Sequence, residues 1–358
     1  MILRSIVLAT SGLLVAAAGA CAQGAAPSAD RAVQRDVPFP AESLLRVVRA
    51  QEAATGGQIG FHLRHVESGR TVGHNATEPF FMSSVTKFPI SLVVLRQVER
   101  GRVRLDDTVS IPAPSMSIGH SPMRAAHPNG ARLPVRELIR FAVSLSDNSA
   151  SDALLRLAGG PDSVSAELRR AGFEGVRVAR PYTQLGRELG GRMPAGDARD
   201  AATPETATAL LAALQQGRVL AAPQRAFLLD LMTRTENPAG RLVAGVPAGT
   251  AVAHKTGTWG NSDQPGPGAL NDIGIITLPG GAGHLAIAVF VRNATVRNAQ
   301  VERAIAAIAR EAWRLSSAGS GGTAAYAKDG IPTTFARLER VEGGAGEARS
   351  GASGLDRG

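Results

Sequence analysis

The sequence predicts an α+β fold, with one antiparallel sheet built from both ends of the chain and an all-helical lobe inserted between them. Patterns typical of strands occur near the start of the chain and again near its end. Helical spacing recurs in several segments of the long stretch between them. The chain has 358 residues, of which 44% are hydrophobic, so it is long enough to bury a large core.

The first elements predicted are a helix and a hairpin. Apolar side chains fall on one face of a helix over 41–54. Alternating apolar residues at 59–63 and an extended stretch at 71–74 predict two strands joined by a turn. Late strands and a closing amphipathic helix are predicted over residues 250–255, 272–278, 284–292 and 296–315.

The middle of the chain predicts the helical lobe, which we assign to residues 84–235. Thr203 is a typical capping residue, with Pro204 at the first helical position and Glu205 in the first turn. The other helices of the lobe are predicted over residues 84–99, 134–144, 149–157, 162–170 and 227–233. A single folded unit over residues 40–316 is therefore expected.

The two ends of the chain predict segments outside this unit. Arg4 precedes an apolar, uncharged run that is too short to span a bilayer, so residues 1–22 are predicted to be a secretory signal. The exported protein is expected in the periplasm, with plain secretion favoured over a lipid anchor at Cys21. Residues 317–358 are rich in Gly, Ser, Ala, Arg and Glu, and they predict a disordered tail.

Composition argues against several classes of partner. The net charge is +9, but the arginines are spread along the chain and only 4% of residues are aromatic, so nucleic-acid binding is not predicted. Cys21 is the single cysteine, which leaves the exported chain without a disulfide, a thiol nucleophile or a cysteine-based zinc site. The seven histidines are scattered, so no metal or other cofactor is predicted. The protein is expected to be a monomer.

Lysine is rare in this chain. Only three of the 39 lysines and arginines are lysines, namely Lys87, Lys255 and Lys328. Arginine serves almost everywhere that a surface cation is needed. A retained lysine therefore indicates a task that arginine cannot perform, such as giving up a proton.

Ser84 and Lys87 form the first candidate catalytic pair. They lie three residues apart at the start of a predicted helix, so both side chains face the same side. A buried lysine can lose its charge and accept the serine proton, which makes the serine a nucleophile. Taken alone, the pair is also compatible with a capping serine followed by a solvated lysine.

Two further motifs add polar side chains. Ser-Asp-Asn at residues 146–148 lies between two predicted helices, where all three residues are also good caps. Lys-Thr-Gly-Thr at residues 255–258 follows a short apolar strand. It offers a cation, two hydroxyls and a glycine that admits a close ligand, although an ordinary strand end with a turn would have the same composition.

In this order, the three motifs resemble those of the class A β-lactamases and penicillin-binding proteins. The resemblance extends over residues 41–315. His254 before Lys255, and Asn-Asp-Ile-Gly at 271–274, are similar to the PER-type and Bacteroides-type branch of class A. The resemblance implies a β-lactamase/transpeptidase-like fold, with a β-lactam as substrate and hydrolysis of its amide through an acyl-enzyme.

The resemblance also implies a role for each matched residue. Ser84 would attack the β-lactam carbonyl, and Lys87 would accept the serine proton. Ser146 and Lys255 would deliver a proton to the departing nitrogen. The backbone N–H groups of Ser84 and Thr258 would form the oxyanion hole.

The remaining matched residues would bind substrate. Asn148 would bind the side-chain amide of the substrate, and Lys255, Thr256 and Thr258 would face its carboxylate. The family often adds an arginine for that carboxylate, and Arg241 falls where some members have it. A solvated surface arginine is the alternative for this position.

The family's second base has no clear counterpart. Counting without gaps from Asn148 puts Tyr182 where class A enzymes have the glutamate that activates the deacylating water. Tyrosine is a poor base at neutral pH because its pKa is about 10. The segment is longer than is common and contains Glu188, which either takes over this role or is a solvated loop carboxylate. Slow deacylation is therefore expected.

Three functions remain open at this point. The first is a β-lactamase that turns over through a Ser84 acyl-enzyme. The second is a penicillin-binding or peptidoglycan peptidase-like protein that acylates without efficient turnover, which the substitution at Tyr182 favours. The third is a basic binding module for envelope polymers, against which the retained serine and lysine pairs argue.

Overall fold

A five-stranded antiparallel sheet lies at the centre of the structure, a computed structural model that describes residues 41–189, 198–236, 240–260 and 268–318. The strands in the described residues are β1 Gln58–His65, β2 Thr71–His74, β3 Phe80–Phe81, β4 Thr108–Pro112, β5 Gly130–Pro134, β6 Val176–Arg177, β7 Ala201–Ala202, β8 Val252–Trp259, β9 Ala269–Thr277 and β10 His284–Arg292. The helices there are α1 Ala41–Thr55, α2 Lys87–Glu99, α3 Pro122–Ala126, α4 Val135–Val143, α5 Asn148–Leu157, α6 Pro161–Arg170, α7 Tyr182–Leu189, α8 Pro204–Gln215, α9 Ala222–Thr233 and α10 Asn298–Ser317.

The main sheet joins strands from both ends of the chain. Its order is β2-β1-β10-β9-β8, and every neighbouring pair is antiparallel. The early strand β1 pairs with the last strand β10, with Phe61 opposite Val289. Helices α2 to α9 come between β2 and β8 in the chain, and the predicted α+β class is confirmed.

Both faces of this sheet are buried. One face packs against α1 and α10 through residues such as Leu44, Phe61 and Ile305. The other face packs against α8 and the helical lobe through residues such as Ile273 and Phe290. Burial on both sides explains why β10 is a nearly continuous apolar run rather than an alternating pattern. Strand β9 is also buried over eight of its nine residues, but these include the polar residues Asn271 and Asp272.

Helix α2 lies at the centre of the helical lobe. Its first nine residues are all buried, and it packs against α4, α5, α6 and α9. A helix that is apolar on every side is stable only when other helices surround it. Two small sheets, of order β3-β7-β6 and β4-β5, accompany these helices.

Several element boundaries differ from the sequence prediction. Residues Ser83–Thr86 form a 3-10 turn, so the α-helix begins at Lys87 instead of at residue 84. Strand β8 continues through the Lys-Thr-Gly-Thr motif, which therefore lies within a strand and is not a strand end with a turn. Helices α3 and α7 and the two small sheets have no predicted counterpart. The strands β3, β6 and β7 have two residues each, which is too few to show a period.

Other predictions fall outside the described residues. The predicted signal at 1–22, with Cys21, lies outside them, and so does the tail from residue 319 onward. Residues 317 and 318, which we expected in the tail, end helix α10 and follow it. Among the described helices, none is both long enough and apolar enough to cross a membrane.

Candidate active site

Four chain segments meet at the junction between the main sheet and the helical lobe. The 3-10 turn Ser83–Thr86 carries Ser84 and leads into α2. The connection from α4 to α5 carries Ser146 and Asn148, and β8 carries the motif at 255–258. Helix α7 begins at Tyr182 and packs against α5. All three predicted motifs therefore contribute to one site.

Strand β8 lies very close to the turn that carries Ser84. A Cβ atom at Gly257 would lie 2.4 Å from the carbonyl oxygen of Met82, so only glycine permits this approach. The side-chain amide of Asn271 on β9 donates hydrogen bonds to the carbonyl oxygens of Phe81 and Met82, at 2.9 and 3.0 Å. These contacts fix the strand motif against the serine.

Lys87 is fully buried beside Ser84. Its Nζ lies 2.9 Å from Ser84 Oγ, 2.6 Å from the carbonyl oxygen of Ser146 and 2.7 Å from Asn148 Oδ1. Burial, followed by the nearby charge of Lys255, lowers the pKa of Lys87 well below its ordinary value. Burial therefore favours the neutral form of the amine.

The contacts of Lys87 fit a neutral amine. A neutral amine has two N–H groups and one lone pair, and two of its three close neighbours can only accept. Those two, the Ser146 carbonyl oxygen and Asn148 Oδ1, take the N–H groups. The lone pair then remains for the O–H of Ser84, the geometry needed for proton transfer.

Lys255 is the second fully buried lysine. Its Nζ donates to Ser146 Oγ at 3.1 Å and to the Thr256 carbonyl oxygen at 3.0 Å. Burial lowers the pKa of Lys255 to about 7, with Asp272 opposing and Arg241 reinforcing the shift. Because Ser146 Oγ also lies 3.4 Å from Nζ of Lys87, this hydroxyl stands between the two lysines.

Arg241 is buried, so the surface alternative for this residue is wrong. Its Nη1 donates to the carbonyl oxygens of Gly257 and Asn271, at 2.9 and 2.8 Å. Its Nη2 donates to Thr258 Oγ1 at 2.7 Å, and both Nη2 and Nε contact Glu302. Arg241 therefore contacts the backbone of β8 and β9, and it reaches the predicted carboxylate site through Thr258.

Tyr182 faces the nucleophile segment. Its hydroxyl lies 2.5 Å from Thr86 Oγ1 and donates to the carbonyl oxygen of Ser83 at 3.0 Å. Nζ of Lys87 lies 4.2 Å from the centre of the tyrosine ring. Burial raises the pKa of Tyr182, and hydrogen bonds with Thr86 and Ser84 oppose this shift only in part. Tyr182 therefore keeps its proton at neutral pH.

The carboxylate of Glu188 is bound by arginine and glutamine side chains. One carboxylate oxygen accepts from Arg180 at 2.9 Å and the other from Gln184 at 2.7 Å, while Arg199 lies 3.5 Å away. The hydrogen bonds from Gln184 and Arg180 lower the pKa of Glu188. A role for Glu188 as the deacylating base stays a prediction, which these contacts do not favour.

The sequence analysis missed Asp152, which fixes the start of α7. Its carboxylate accepts the backbone N–H groups of Tyr182 at 2.6 Å and Thr183 at 2.9 Å. Burial raises the pKa of Asp152, and these hydrogen bonds oppose the shift. A signal was present, because Asp152 lies four residues after Asn148 and so shares its face of α5.

A buried ion pair fixes the segment before α7. Arg180 Nε donates to Asp200 Oδ2 at 2.7 Å, and both side chains are almost fully buried. Asp200 Oδ1 also accepts the N–H groups of Ala179 and Arg180.

Within the described ranges, no group of three or more His, Cys, Asp or Glu side chains could bind a metal. The expected absence of a cofactor stays a prediction.

The fold and the serine site define an active-site serine hydrolase, and comparison with known proteins agrees. The model of the Beta-lactamase enzyme family matches residues 40–315. The β-lactamase VEB-1 of Pseudomonas aeruginosa is 31% identical over 73% of this chain and 86% of its own length. PER-1, an extended-spectrum β-lactamase of the same species, is 33% identical over 67% of this chain and 77% of its own.

Solved structures give the same result. A β-lactamase from Chitinophaga pinensis has a TM-score of 0.70 and 32% identity, covering 76% of this chain and 98% of its own. An ancestral class A β-lactamase has a TM-score of 0.67 and 31% identity, covering 75% and 97%. The chain belongs to the β-lactamase enzyme family, within class A. It is therefore an enzyme and a hydrolase.

Two finer predictions stay open. The carbapenem-hydrolyzing β-lactamase KPC of Klebsiella oxytoca, at 33% identity over 71% of this chain, is as similar as PER-1. Membership of the PER-type branch therefore stays a prediction. The same holds for the position of Tyr182 in place of the family glutamate.

Proposed function

We propose that this chain hydrolyses β-lactams through an acyl-enzyme on Ser84 and that deacylation is its slow step. The observation that carries the proposal is the set of contacts around Lys87. Nζ lies 2.9 Å from Ser84 Oγ, and in the neutral amine the Ser146 carbonyl oxygen and Asn148 Oδ1 would accept its two N–H groups and leave the lone pair for Ser84. A neutral lysine in this position can act as the general base for acylation.

Acylation would proceed in two steps. The Ser84 proton moves to Lys87 as Oγ forms a bond to the β-lactam carbonyl carbon, and the N–H groups of Ser84 and Thr258 stabilise the oxyanion. The ring C–N bond then breaks, and the nitrogen takes a proton from the Ser146 hydroxyl. Lys87 or Lys255, which both lie within 3.4 Å of Ser146 Oγ, replaces that proton.

Substrate binding would use the groups that line the same junction. Lys255, Thr256 and Thr258 would bind the carboxylate of the β-lactam, and the Asn148 side chain would bind its amide. Lys255 contributes a positive charge only while it is protonated, and its pKa is about 7. The carboxylate would itself favour the protonated form.

Deacylation lacks an evident base. Tyr182 keeps its proton because burial raises its pKa, and the carboxylate of Glu188 is bound to Arg180. A general base contributes about 10²–10⁴-fold to such a step, so its loss would slow turnover without stopping acylation. Lys87 is the next candidate if it is the group that reprotonates Ser146, because it then regains its lone pair after acylation.

Mass spectrometry of the intact protein mixed with a penicillin, followed over time, tests the proposal. We expect one adduct per chain, mapped to Ser84, that forms quickly and disappears slowly. The Ser84→Ala variant should form no adduct. An adduct that persists in Ser84→Ala, or the absence of any adduct on the native protein, would contradict the proposal.

A second function has a specific observation behind it. The contacts of Tyr182 and Glu188 also suit a penicillin-binding or peptidoglycan peptidase-like protein that acylates and stays acylated. In that case the adduct on Ser84 would remain for hours, and the penicillin would not be consumed beyond one equivalent. The same experiment therefore separates the two functions.

We also propose that the protein acts as a periplasmic monomer. The apolar run and small residues within 1–22 support export, and Cys21 leaves a lipid anchor as the alternative. Cell fractionation, compared between the native chain and Cys21→Ala, tests this. A lipid-anchored protein would move from the membrane fraction to the soluble periplasm in the variant, and size-exclusion chromatography would report the monomer.

A further inference from the structure

The two N–H groups of the proposed oxyanion hole belong to two peptide groups whose carbonyl ends are hydrogen-bonded. The N–H of Ser84 shares a planar peptide unit with the carbonyl of Ser83, and the N–H of Thr258 shares one with the carbonyl of Gly257. A donor bound to the carbonyl fixes the plane and polarises the N–H at its other end. The hydrogen-bond partners of these two carbonyls therefore affect how strongly the two N–H groups stabilise the oxyanion.

The Ser83 carbonyl has two hydroxyl partners. Thr86 Oγ1 lies 2.8 Å from it and the Tyr182 hydroxyl 3.0 Å from it, and the two hydroxyls contact each other at 2.5 Å. Each hydroxyl has a single hydrogen, so when Tyr182 donates to the Ser83 carbonyl, Thr86 donates either to that carbonyl or to the tyrosine oxygen. Thr86 and Tyr182 are both buried, so water does not compete strongly for these bonds.

Ser83 itself is held in an unusual backbone conformation. Its φ is +50°, in the left-handed region that residues other than glycine rarely adopt. Its Oγ donates to the carbonyl oxygen of Thr258 at 2.6 Å. Ser83 is thus bound at its carbonyl by the helical lobe and at its side chain by β8, which links the two halves of the oxyanion hole.

The Gly257 carbonyl has a charged partner. Nη1 of Arg241 donates to it at 2.9 Å. A guanidinium has five N–H donors, and the contacts to Gly257, Asn271, Thr258 and Glu302 use them all. Arg241 therefore has no N–H group left for a substrate carboxylate, while its contact with Gly257 is direct.

We propose that Tyr182 and Arg241 are positioning residues of the oxyanion hole, which act through the carbonyls of Ser83 and Gly257 on the N–H groups of Ser84 and Thr258. This inference rests on the acyl-enzyme function proposed above. It gives Tyr182 a task that requires its proton. It also makes Arg241 act on the reacting carbonyl.

The inference separates Tyr182 from a base by kinetics. A base for deacylation affects only deacylation, whereas the oxyanion forms in both acylation and deacylation. Tyr182→Phe keeps the ring and removes the hydroxyl. We expect both rate constants to fall by about 3- to 10-fold, the effect of one indirect hydrogen bond. Arg241→Ala should likewise lower both rates, for a penicillin and for its methyl ester alike.

The experiment combines rapid-quench kinetics with infrared spectra of the acyl-enzyme, made with a penicillin carrying ¹³C at the β-lactam carbonyl. Hydrogen bonds from an oxyanion hole lower the stretching frequency of the ester carbonyl. We expect the band to move to higher frequency in Tyr182→Phe and in Arg241→Ala. Tyr326→Phe, which alters the other tyrosine of the chain, is the matched control and should leave band and rates unchanged.

Two results would overturn the inference while leaving the proposed function intact. One is a Ser84 adduct in Tyr182→Phe whose carbonyl band matches the native protein and whose deacylation alone is slow. The other is an Arg241→Ala variant that loses affinity for the penicillin but not for its ester. Failure of the proposed function looks different, because the native protein would then form no Ser84 adduct at all.

Discussion

The two sides of the active site treat their ionisable groups in opposite ways. On the lysine side, formed by Ser84, Lys87, Ser146 and Lys255, burial lowers the pKa of both lysines, to about 7 for Lys255. On the tyrosine side, formed by helix α7, burial raises the pKa of Tyr182, and hydrogen bonds lower the pKa of Glu188. The first pair of shifts brings the two lysine pKa values closer to neutral pH, and the second pair takes the pKa values of Tyr182 and Glu188 further from it.

This difference teaches which half of the reaction the site is built for. Groups that exchange protons near pH 7 are the ones that serve as acids and bases there. The lysine side has two buried amines with lowered pKa values, which the Ser146 hydroxyl joins. The tyrosine side has a hydroxyl fixed as a donor and a carboxylate fixed as an anion. We therefore expect acylation to be efficient and deacylation to limit turnover.

The largest effect is expected on the lysine side. Lys87→Arg should lower the acylation rate by about 10²–10⁴-fold, because a guanidinium does not deprotonate and cannot act as the base. Stopped-flow measurement of acylation checks this. Lys328→Arg is the matched control, since it makes the same change at the third lysine of the chain. Rapid acylation by Lys87→Arg would show that Lys87 is not the base, and the proposed difference in proton transfer between the lysine side and the tyrosine side would then be wrong.

The next effect concerns pH. Lys255 attracts the substrate carboxylate only when protonated, and the protonated fraction falls as the pH rises through its pKa of about 7. KM for a penicillin should therefore rise by up to about tenfold per pH unit above 7. Lys255→Arg stays charged and should flatten this profile, although it lowers activity. A native KM that is constant from pH 6 to 9 would show that Lys255 does not titrate in the working enzyme.

The smallest effect is expected at Glu188. Its carboxylate is bound to Arg180 and Gln184, and the Glu188 side chain is itself solvent-accessible, so Glu188→Gln should change the deacylation rate by about twofold or less. The lifetime of the acyl-enzyme, followed by mass spectrometry, gives the answer. A lifetime prolonged by about 10²-fold or more would instead identify Glu188 as the base, and the tyrosine side would then share in proton transfer.

Motif spacing was enough to predict the lysine side from the sequence. Ser84 and Lys87 are neighbours on one helical turn, and the order of the three motifs supplied the rest. The same reasoning could not find what depends on distant contacts. Arg241 is buried because the carbonyl of Asn271 and the carboxylate of Glu302 surround it, and neither is near it in the chain.

The conformation of the nucleophile turn was also beyond sequence reasoning. The local sequence Met-Ser-Ser-Val does not indicate that Ser83 has a positive φ, because no local interaction of serine favours that conformation. The tertiary bonds to Thr258 and Tyr182 impose it. The fold class was more accessible, because strand patterns at both ends of a helical middle allow few architectures.

The contact between β8 and the nucleophile turn also limits how this enzyme can change. Any side chain at Gly257 must displace the backbone at Met82, because its Cβ would lie 2.4 Å from a carbonyl oxygen. Backbone cannot rotate aside as a flexible side chain can. A substitution at residue 257 would therefore force β8 and the nucleophile turn apart, and we expect such a variant not to be tolerated. Variants with an altered substrate range should arise at the more exposed rim of the site, where Thr258 lies, and leave residue 257 unchanged.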